Sequence, residues 1–362
     1  MEQTPVSRSA AGKKSRKGLA LLGKLILILL ETVLLLAVAL YGVMYVLAKG
    51  PSPTARDLFV RSVRETSAIG FLAELYLSPE EIAQIEASRS QVEEYAVTDT
   101  SLITIEQTKP DAQEESSGPK ADAWGLVDED GDGIILEEVK GEGFCGYMMV
   151  VLDPSRVIMG SVPSSYNAKG YTVEEMVGVF DGVAGINAGG FHDPDGTGNG
   201  SIPDSLTVVD GQVYYANLGT RDGFAGLDSN HILHVGKLSE AEIRERDIQY
   251  GVCFGPVLIS NGEIALAEDN VGGLNPRTAI GQRSDGAILL LVIDGRQVIS
   301  LGATYVDLCE IFLEYGAVNA CNLDGGSSSM MWYNDKYVNN CASVIGIRPV
   351  PTTFVVLKEG VE

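Results

Sequence analysis

The sequence is poor in the residue types that most often carry metal and nucleophilic chemistry. It contains three histidines, two tryptophans and five cysteines. No CxxC pair occurs, so a zinc site is not predicted, and no GxSxG motif occurs, which argues against a serine hydrolase. The odd number of cysteines leaves at least one thiol unpaired in a monomer. Cys321 and Cys341 could form a disulfide in an exported chain, or remain separate thiols.

Basic charge is also scarce outside the N-terminus. Residues 1–24 hold six lysines and arginines against Glu2, a net charge of +5, so the overall charge of −23 leaves −28 on residues 25–362. Such an acidic chain is not predicted to bind nucleic acid, because binding to phosphates needs a basic face. The chain of 362 residues, 45% of them hydrophobic, is long enough for one or two globular domains.

The longest hydrophobic run is Leu25–Ala48, which contains a single charged residue, Glu31. A helix needs about 20 apolar residues to cross a bilayer, so the run predicts a transmembrane signal anchor. The basic residues 1–24 before it predict a cytoplasmic tail. A cleaved signal peptide is the alternative, because Ala37–Ala39 has the small residues of a cleavage site, but the run continues too far beyond it. Either interpretation places the acidic remainder outside the cytoplasm.

The remainder divides into three parts by composition. Residues 49–97 have apolar residues at helical spacing and a helix start at Ser78 and Pro79, which predicts a helical stalk. Residues 98–127 are mostly polar and predict a linker. Residues 128–360 contain short β-rich runs, Gly- and Asp-rich turns and fewer helices. This pattern predicts a strand-rich domain of the α+β or mixed α/β class.

An acidic turn opens this domain. Asp128, Asp130 and Asp132 occupy positions 1, 3 and 5 of a calcium-loop pattern, but position 12 holds Val139 where the closing glutamate belongs. The favoured interpretation is therefore an acidic turn that leads into a strand, and a calcium-dependent adhesion module is the alternative.

A glycine-rich stretch, Gly185–Gly200, follows an apolar run. Asn187 ends that run, and Gly189 and Gly190 allow a backbone to approach a ligand closely. His192 comes next, either as a functional group or as a surface residue. The stretch is not GxGxxG before a helix, so a dinucleotide site is not predicted.

Arg277 lies directly after Asn275 and Pro276 and before an apolar strand. Its planar guanidinium suits a phosphate or carboxylate ligand. An ion pair with one of the many acidic residues is an equally good explanation of this motif alone.

The segment Asn319–Asn334 joins two apparent strands through Asp324, Gly325, Gly326 and Ser327. A tight turn explains this pattern by itself. The same residues also expose successive amides that can bind an oxyanion, beside a carboxylate that can act as acid, base or nucleophile.

Taken together, "NAGGF", "NPRTAIG" and "NLDGGSSSMMW" resemble the phosphodiester glycosidase family, and the resemblance covers about residues 130–358. It implies hydrolysis of a sugar 1-phosphodiester, such as an N-acetylglucosamine-1-phospho linkage, in cell-surface glycan. A non-catalytic envelope protein that binds glycan or phosphoglycan is the alternative. No cofactor is required by this chemistry, although a divalent cation would help an acidic chain to bind an anionic substrate.

The resemblance also suggests roles for particular residues. Asp324 would be a catalytic carboxylate, and His192 could serve as acid or base. Arg277 and the backbone of Gly325–Ser327 would hold the phosphate. The sugar site would be lined by Asn187, Gly189 and Gly190. The second carboxylate that such cleavage usually needs is left open among three candidates: Asp193, Asp195 and Glu310.

Overall fold

A computed structural model of the chain describes the backbone of the following residues, with side chains from residue 21 onward: 9–66, 69–87, 94–105, 121–162, 168–193, 198–214, 223–343 and 346–360. The chain forms two compact units, Met1–Phe59 and Val60–Glu362. The boundary between them falls inside the segment predicted as a stalk, so most of that segment belongs to the second unit.

The first unit contains the N-terminal apolar helix. Helix α1 spans Ser9–Lys49, and its 29-residue part Leu21–Lys49 contains an 18-residue stretch with a mean hydropathy of 2.5, none of which is buried. This length and composition fit a single-pass membrane anchor or a signal sequence. The predicted span of residues 25–48 lies within this helix.

Five further α-helices occur among the described residues: α2 (Pro53–Arg64), α3 (Pro79–Ala87), α4 (Val173–Val179), α5 (Glu240–Glu245) and α6 (Tyr305–Glu314). The predicted start of α3 is confirmed, because Ser78 and Glu81 bond reciprocally as a capping box. Helix α6 also has sequence signals at both of its ends. Thr304 caps its first turn, and Gly316 follows its end at a positive φ of 77°.

The described part of the second unit contains seventeen β-strands: β1 (Ile134–Gly141), β2 (Phe144–Val151), β3 (Val157–Ser161), β4 (Gly182–Asn187), β5 (Thr207–Val209), β6 (Gln212–Tyr214), β7 (Gly223–Asp228), β8 (Leu233–Gly236), β9 (Ile248–Phe254), β10 (Val257–Ser260), β11 (Glu263–Ile264), β12 (Arg277–Arg283), β13 (Ile288–Ile293), β14 (Ala317–Asn322), β15 (Met331–Tyr333), β16 (Lys336–Tyr337) and β17 (Thr352–Leu357). The strand-rich mixed fold predicted from the sequence is therefore confirmed.

The strands form three antiparallel sheets. Their orders are β1-β2-β13-β12-β14-β10-β11, β16-β15-β4-β17-β3 and β6-β5-β9-β7-β8. A hairpin joins β5 and β6, where Asp210 and Gly211 have φ values of 48° and 69°. Such positive angles are what a two-residue hairpin turn requires.

The seven-stranded sheet is buried on both faces, which explains why its central strands are continuously apolar. Met148 of β2 and Leu289 of β13 belong to the core on the α6 side, together with Phe312. The next residues along those strands, Met149 and Leu290, belong to the core shared with the other two sheets. Successive side chains of a strand point to opposite faces, so each central strand stabilises two cores.

Part of the predicted linker packs against the domain. The Asp99 amide donates to Asn261 Oδ1 at 2.8 Å, and Asn261 Nδ2 donates to the Val97 carbonyl at 2.9 Å. Further along, the Thr104 amide donates to the Ser284 carbonyl at 2.8 Å. Residues 97–104 are therefore bound to the domain and do not form a free linker. The part of the linker at 106–120 lies outside the described residues.

No disulfide joins any of the five cysteines, all of which lie among the described residues. Cys321 is buried at the centre of the sheet, where its sulfur lies 3.6 Å from the Pro256 carbonyl. Cys341 instead donates to the Ser327 carbonyl at 3.3 Å. Of the two possibilities that the sequence offered for Cys321 and Cys341, a disulfide and separate thiols, the structure has the separate thiols.

Candidate active site

The residues predicted to carry chemistry meet at one edge of the seven-stranded sheet. Strand β12 begins at Arg277, which pairs with Ile293 near the end of β13, and Ala279 pairs with Asn322 at the end of β14. Because these neighbours are antiparallel, the start of β12 lies beside the ends of both other strands. The antiparallel register therefore brings Arg277 next to the loops after β13 and β14.

Asn187 ties this edge to the second sheet. Its Nδ2 donates to the Asp324 carbonyl at 2.6 Å, and its Oδ1 accepts from Thr278 Oγ1 at 2.9 Å and from the Met330 amide at 3.0 Å. Only 1% of Asn187 is exposed. The side chain predicted to line a sugar site is thus directed into the protein, where it holds the backbone of Asp324.

The loop after β14 is a compact turn. The Asp324 amide donates to the Ala188 carbonyl at 2.9 Å, and the Gly326 amide donates to the Pro276 carbonyl at 2.8 Å. A Cβ atom on Gly325 would lie 2.7 Å from that same carbonyl oxygen, so the close approach to Pro276 requires glycine. Asp324 is half-buried. The turn therefore packs against Ala188 and against Pro276 at the start of β12, with two of its amides bonded to their carbonyls.

Arg277 is held rigidly and almost completely buried, with 5% exposure. Its Nε donates to the Ala303 carbonyl at 3.0 Å, and its Nη2 donates to the Gly273 carbonyl at 2.5 Å. The guanidinium lies over the ring of Tyr305 at 4.3 Å from the ring centre. These contacts fix the fork of the guanidinium and stabilise its charge.

The partner of Arg277 is a carboxylate from the segment predicted as a stalk. Glu65 Oε2 accepts from Arg277 Nη2 and from Asn275 Nδ2, both at 2.9 Å. Glu65 Oε1 lies 3.3 Å from the Gly273 amide. The neighbouring Ser62 Oγ accepts from the Leu274 amide at 2.9 Å. Residues 62–65 therefore pack against the turn before β12. The sequence left two explanations for Arg277, an anion site and an ion pair, and this structure contains the ion pair with Glu65.

A second arginine that the sequence analysis did not identify lies here. Arg296 Nη2 donates to Thr66 Oγ1 at 2.8 Å and to Asn275 Oδ1 at 3.0 Å. A Cβ atom on Gly326 would lie 3.2 Å from that nitrogen. Burial lowers the pKa of Arg296, and the charge of Arg277 lowers it further, while two carboxylates raise it: Glu65 and Asp324. The two guanidiniums and the two carboxylates thus form one electrostatic cluster.

The glycine-rich stretch after β4 lies at the same edge but supplies mainly backbone. The Gly189 amide donates to Thr352 Oγ1 at 2.9 Å, and the Gly190 carbonyl accepts from the Asp204 amide at 3.1 Å. His192 is exposed. Within the described part of the chain, its hydrogen bond is from its own amide to the Ile202 carbonyl, at 2.8 Å. The exposed His192 side chain lies near Asp193, and its charge contributes to lowering the pKa of that carboxyl.

The structure describes two of the three candidates for a second carboxylate, Asp193 and Glu310. Asp193 accepts two bonds from the guanidinium of Arg348, both at 2.8 Å, and Arg348 Nη1 also contacts Ser327 Oγ at 3.2 Å. Glu310 is exposed on α6, and Asp195 lies outside the described residues. Asp193 thus supports the turn after Asp324 through Arg348.

The acidic turn before β1 is a separate feature. Carboxylate oxygens of Asp128, Asp130 and Asp132 all lie within 4.8 Å of one another. Asp128 accepts from two backbone amides at 2.9 Å each, and Asp132 Oδ2 accepts from Tyr333 OH at 3.0 Å. These bonds are those of a turn that leads into a strand, as the favoured interpretation predicted.

Half of the chain is similar in sequence to known proteins. Residues 180–357 match the family model of the phosphodiester glycosidases. The SPbeta prophage-derived uncharacterized protein YomE of Bacillus subtilis is 32% identical over 185 residues, which are 48% of this chain and 28% of that protein. Human N-acetylglucosamine-1-phosphodiester alpha-N-acetylglucosaminidase is 28% identical over 181 residues, which are 45% of this chain and 34% of the human protein. The chain thus spans about a third, or less, of the length of these curated relatives.

One solved structure has a similar fold. It is the catalytic domain of zebrafish N-acetylglucosamine-1-phosphodiester alpha-N-acetylglucosaminidase, auto-inhibited by its pro-peptide, with a TM-score of 0.51 and 17% identity over 75% of this chain and 97% of that chain. The family match begins at residue 180, so β1–β3 extend the same sheets beyond the matched residues. Residues 180–357 thus match the phosphodiester glycosidase family in sequence, and the domain that contains them has the fold of the zebrafish catalytic domain.

Proposed function

We propose that this protein is a membrane-anchored glycosidase that hydrolyses a sugar 1-phosphodiester in cell-surface glycan outside the cytoplasm. The observation that carries the proposal is the cluster at the edge of the seven-stranded sheet. There, the half-buried Asp324 shares one electrostatic environment with the guanidiniums of Arg277 and Arg296. A carboxylate for the anomeric carbon and cations for the phosphate are the two components that this reaction requires.

Within the proposal, Asp324 is the catalytic carboxylate, and Arg277 binds the phosphate. Cleavage at the anomeric carbon leaves the electron pair on a phosphate oxygen, which guanidinium groups stabilise without a general acid of high pKa. Gly189, Gly190 and the Gly325–Ser327 turn provide the walls of the substrate site. Asn187 fixes the backbone of Asp324, to which it donates at 2.6 Å. With the phosphate bound by guanidiniums, the reaction needs no divalent cation.

The N-terminal helix supports the location. The apolar part of α1, Leu21–Lys49, is long enough to span a bilayer. The basic residues before it favour a cytoplasmic N-terminus and an extracellular domain. Treatment of intact cells with protease tests this orientation: degradation of the domain while residues 1–24 stay protected supports it, and protection of the domain counts against it.

The contacts of Glu65 support a further part of the proposal, in which the segment 62–66 keeps the site closed. Its carboxylate accepts from Arg277 at 2.9 Å, at the place assigned to the substrate phosphate. The zebrafish catalytic domain is auto-inhibited by its pro-peptide. We infer a comparable arrangement here, in which the preceding segment must leave before substrate binds.

The test is turnover by the full-length protein in detergent micelles. The substrate is the methyl phosphodiester of N-acetylglucosamine 1-phosphate, and the product is measured as free reducing sugar. We expect Asp324→Asn to lower the rate by about a hundredfold or more, as loss of a catalytic acid or base does. The matched control is Asp335→Asn, in the β15–β16 turn where φ is 58°, an angle that asparagine also adopts.

Each outcome decides between the candidate functions. Turnover that needs Asp324 and survives Asp335→Asn supports the glycosidase. Absence of turnover together with binding of the phosphodiester supports the non-catalytic glycan-binding alternative. If His192→Gln lowers the rate as much as Asp324→Asn does, the exposed imidazole of His192 has a catalytic role.

A further inference from the structure

The loop between β13 and α6 presents two apolar side chains to solvent. Val298 is 102% exposed and Ile299 is 71% exposed, the two highest values for a large hydrophobic side chain in the described part of the chain. They exceed even the values along the apolar helix α1. Single surface hydrophobics need no explanation, but two adjacent ones with the highest exposure in the molecule indicate a contact with a partner.

Residues 297–300 form a tight turn with Val298 and Ile299 at its tip. The Gln297 amide donates to the Ser300 carbonyl at 2.9 Å, and the Ser300 amide donates to the Gln297 carbonyl at 3.2 Å. The two apolar residues therefore occupy the central positions, where glycine, asparagine, aspartate and proline are the usual residues. The requirements of the turn itself do not explain two β-branched apolar side chains there.

The base of the turn is fixed to the domain. The buried Ser300 hydroxyl donates to the Asp294 carbonyl at 2.6 Å, and Gln297 Nε2 donates to the Asn340 carbonyl at 2.8 Å. Because these bonds hold both ends of the turn, its tip projects from the domain and its apolar side chains stay in solvent.

A second group of exposed apolar side chains lies on the segment that contacts Arg296. Arg296 Nη2 donates to Thr66 Oγ1 at 2.8 Å, and the Thr66 carbonyl accepts from the amides of Ile69 and Gly70 at 3.2 and 3.1 Å. The Arg296–Thr66 bond thus joins two exposed apolar segments. We refer to their exposed large side chains as the apolar patch: Ile69, Phe71, Val298, Ile299 and Leu301.

The segments that carry the apolar patch contain no charge. Neither residues 66–73 nor residues 297–306 include a lysine, arginine, aspartate or glutamate, although the chain as a whole has a net charge of −23. Such a surface can enter the boundary between lipid head groups and acyl chains without removing an ion from water. The chemistry of the apolar patch therefore fits a lipid bilayer.

The chain itself brings a bilayer within reach of the apolar patch. Helix α1, the proposed membrane anchor, ends at Lys49, and most of the residues between it and Thr66 belong to α2 (Pro53–Arg64). A helix rises about 1.5 Å per residue, so this connection spans at most about 40 Å with its other residues extended. That is no more than the diameter of a domain of this size.

We propose that the apolar patch contacts the bilayer that contains α1, with Val298 and Ile299 inserted below the lipid head groups. The contact also orients the candidate active site, because Arg296 directly precedes the turn and its guanidinium lies beside Gly326. The site then faces the glycan nearest to the membrane. The proposal rests on the membrane anchor proposed above and does not depend on glycosidase activity.

The test places an additional tryptophan in the full-length protein, reconstituted in phosphatidylcholine vesicles. The lipids are used with and without bromine atoms on their acyl chains, because bromine quenches tryptophan fluorescence at close range. The variants are Val298→Trp and Ile299→Trp. The emission of the wild type, which comes from Trp124 and Trp332, is subtracted.

Val179→Trp is the matched control. Val179 is 54% exposed at the end of α4 and precedes the start of β4, whereas Asn187, which belongs to the candidate site, ends that strand. We expect brominated lipid to reduce the added emission of both turn variants about twofold or more, because interfacial side chains reach about 5–10 Å into the bilayer. The emission of Val179→Trp should change little. No quenching of either turn variant, or equal quenching of all three, would overturn the proposal.

Phe71→Trp shows whether the turn itself makes the contact. It places the tryptophan on the other segment of the apolar patch, where the phenylalanine is 57% exposed. Adding Val298→Asp and Ile299→Asp should remove most of its quenching, because carboxylates enter lipid only at a large cost. Adding Val179→Asp should leave the quenching unchanged. Quenching that persists with both aspartates in the turn contradicts the proposal.

This test and the test of the proposed function fail separately, since quenching is measured without substrate. Sugar release without quenching contradicts the membrane contact and leaves the glycosidase in place. Quenching without sugar release contradicts the glycosidase and leaves the membrane contact in place. A protein partner for the apolar patch, in place of lipid, predicts no quenching in vesicles that contain this protein alone, and that result also overturns the proposal.

Discussion

Glu65 Oε2 and Arg277 Nη2 are 2.9 Å apart, although 212 positions separate the two residues in the chain. Arg277 is 5% exposed, so this ion pair is largely removed from water. In such a setting, loss of one partner leaves an uncompensated charge. The pair therefore joins the N-terminal segment to the domain firmly, and it also determines what other anion can reach Arg277.

The first prediction concerns this pair and the rate of hydrolysis. Glu65→Ala should raise the rate at low substrate concentration, because the substrate phosphate no longer competes with an internal carboxylate. A hydrogen bond to a charged group contributes about 1.5–3 kcal/mol, so the expected increase in kcat/KM is about tenfold to a hundredfold. The measurement is the initial rate of sugar release by the full-length protein.

The control for this prediction is Glu86→Ala. Glu86 also lies in the N-terminal segment and pairs with Arg64 at 2.9 Å, but its side chain is 44% exposed. Removal of this exposed pair should change the rate little. An unchanged rate in Glu65→Ala, or the same increase in both variants, would show that Glu65 does not close the site.

The comparison of sequence and structure separates local from long-range signals. The helix α6 was predictable because Thr304 and Gly316 mark its two ends, and the β5–β6 hairpin because Asp210-Gly211 fixes its turn. Both signals lie within a few residues of what they determine.

The composition of the site was only partly predictable. Asp324 and Arg277 could be identified from the sequence. Asp324 follows an apolar strand and begins a Gly-Gly-Ser turn, and Arg277 follows Asn275-Pro276 and precedes an apolar strand. Glu65 was not identified from the sequence, because no local pattern distinguishes it from the many other acidic residues. Arg296 was also missed, although it directly follows Asp294-Gly295 at the end of β13. The sequence also did not show that the Asn187 amide turns inward, because the direction of a side chain at a strand end depends on the neighbouring sheet.

The second prediction concerns Asn187 and stability. Asn187→Ala removes the partners of Thr278 Oγ1, the Met330 amide and the Asp324 carbonyl at a site with 1% exposure. A buried polar group that loses its partner costs about 1–3 kcal/mol, so the free energy of unfolding should fall by about 3–5 kcal/mol. Urea denaturation of the full-length protein measures the change.

Asn230→Ala is the matched control for that prediction, since Asn230 is exposed in the β7–β8 turn. Its replacement should change the free energy of unfolding by less than about 0.5 kcal/mol. If Asn187→Ala were no less stable than Asn230→Ala, the amide would not be the structural link described here. Sugar release should also fall in Asn187→Ala, because the Asp324 backbone loses its support.

The third prediction concerns acid stability. Burial alone would raise the pKa of Asp193, but the bonds from Arg348 and from the Gly198 amide outweigh it and hold the pKa below its ordinary value. A carboxyl whose pKa is lower in the folded state stabilises the fold above the unfolded pKa of about 3.9, and this stability is lost as the pH falls through the folded value. The urea midpoint should therefore decrease less between pH 5 and pH 3 in Asp193→Asn than in the wild type.

Asp335→Asn provides the comparison, because Asp335 is exposed in the β15–β16 turn. The other carboxylates with a lowered pKa, including Asp122 and Asp228, are present in every variant, so the difference between variants isolates Asp193. Identical pH profiles for Asp193→Asn and the wild type would show that the Asp193–Arg348 pair adds no acid-sensitive stability.

The fourth prediction concerns the thiols. Cys309 and Cys321 are buried, whereas Cys145, Cys253 and Cys341 are partly exposed. Burial raises the pKa of Cys309 to about 12 and also raises the pKa of Cys321, so neither forms the reactive thiolate at pH 8. Burial also raises the pKa of Cys341, so Ellman's reagent should react quickly with Cys145 and Cys253 of the folded protein and more slowly with Cys341. Only in urea should all five thiols react, and reductant should leave the melting temperature unchanged. Cys253→Ser should remove one quick equivalent and Cys309→Ser one that reacts only in urea; fewer than five thiols in urea without reductant would reveal a disulfide that this structure does not have.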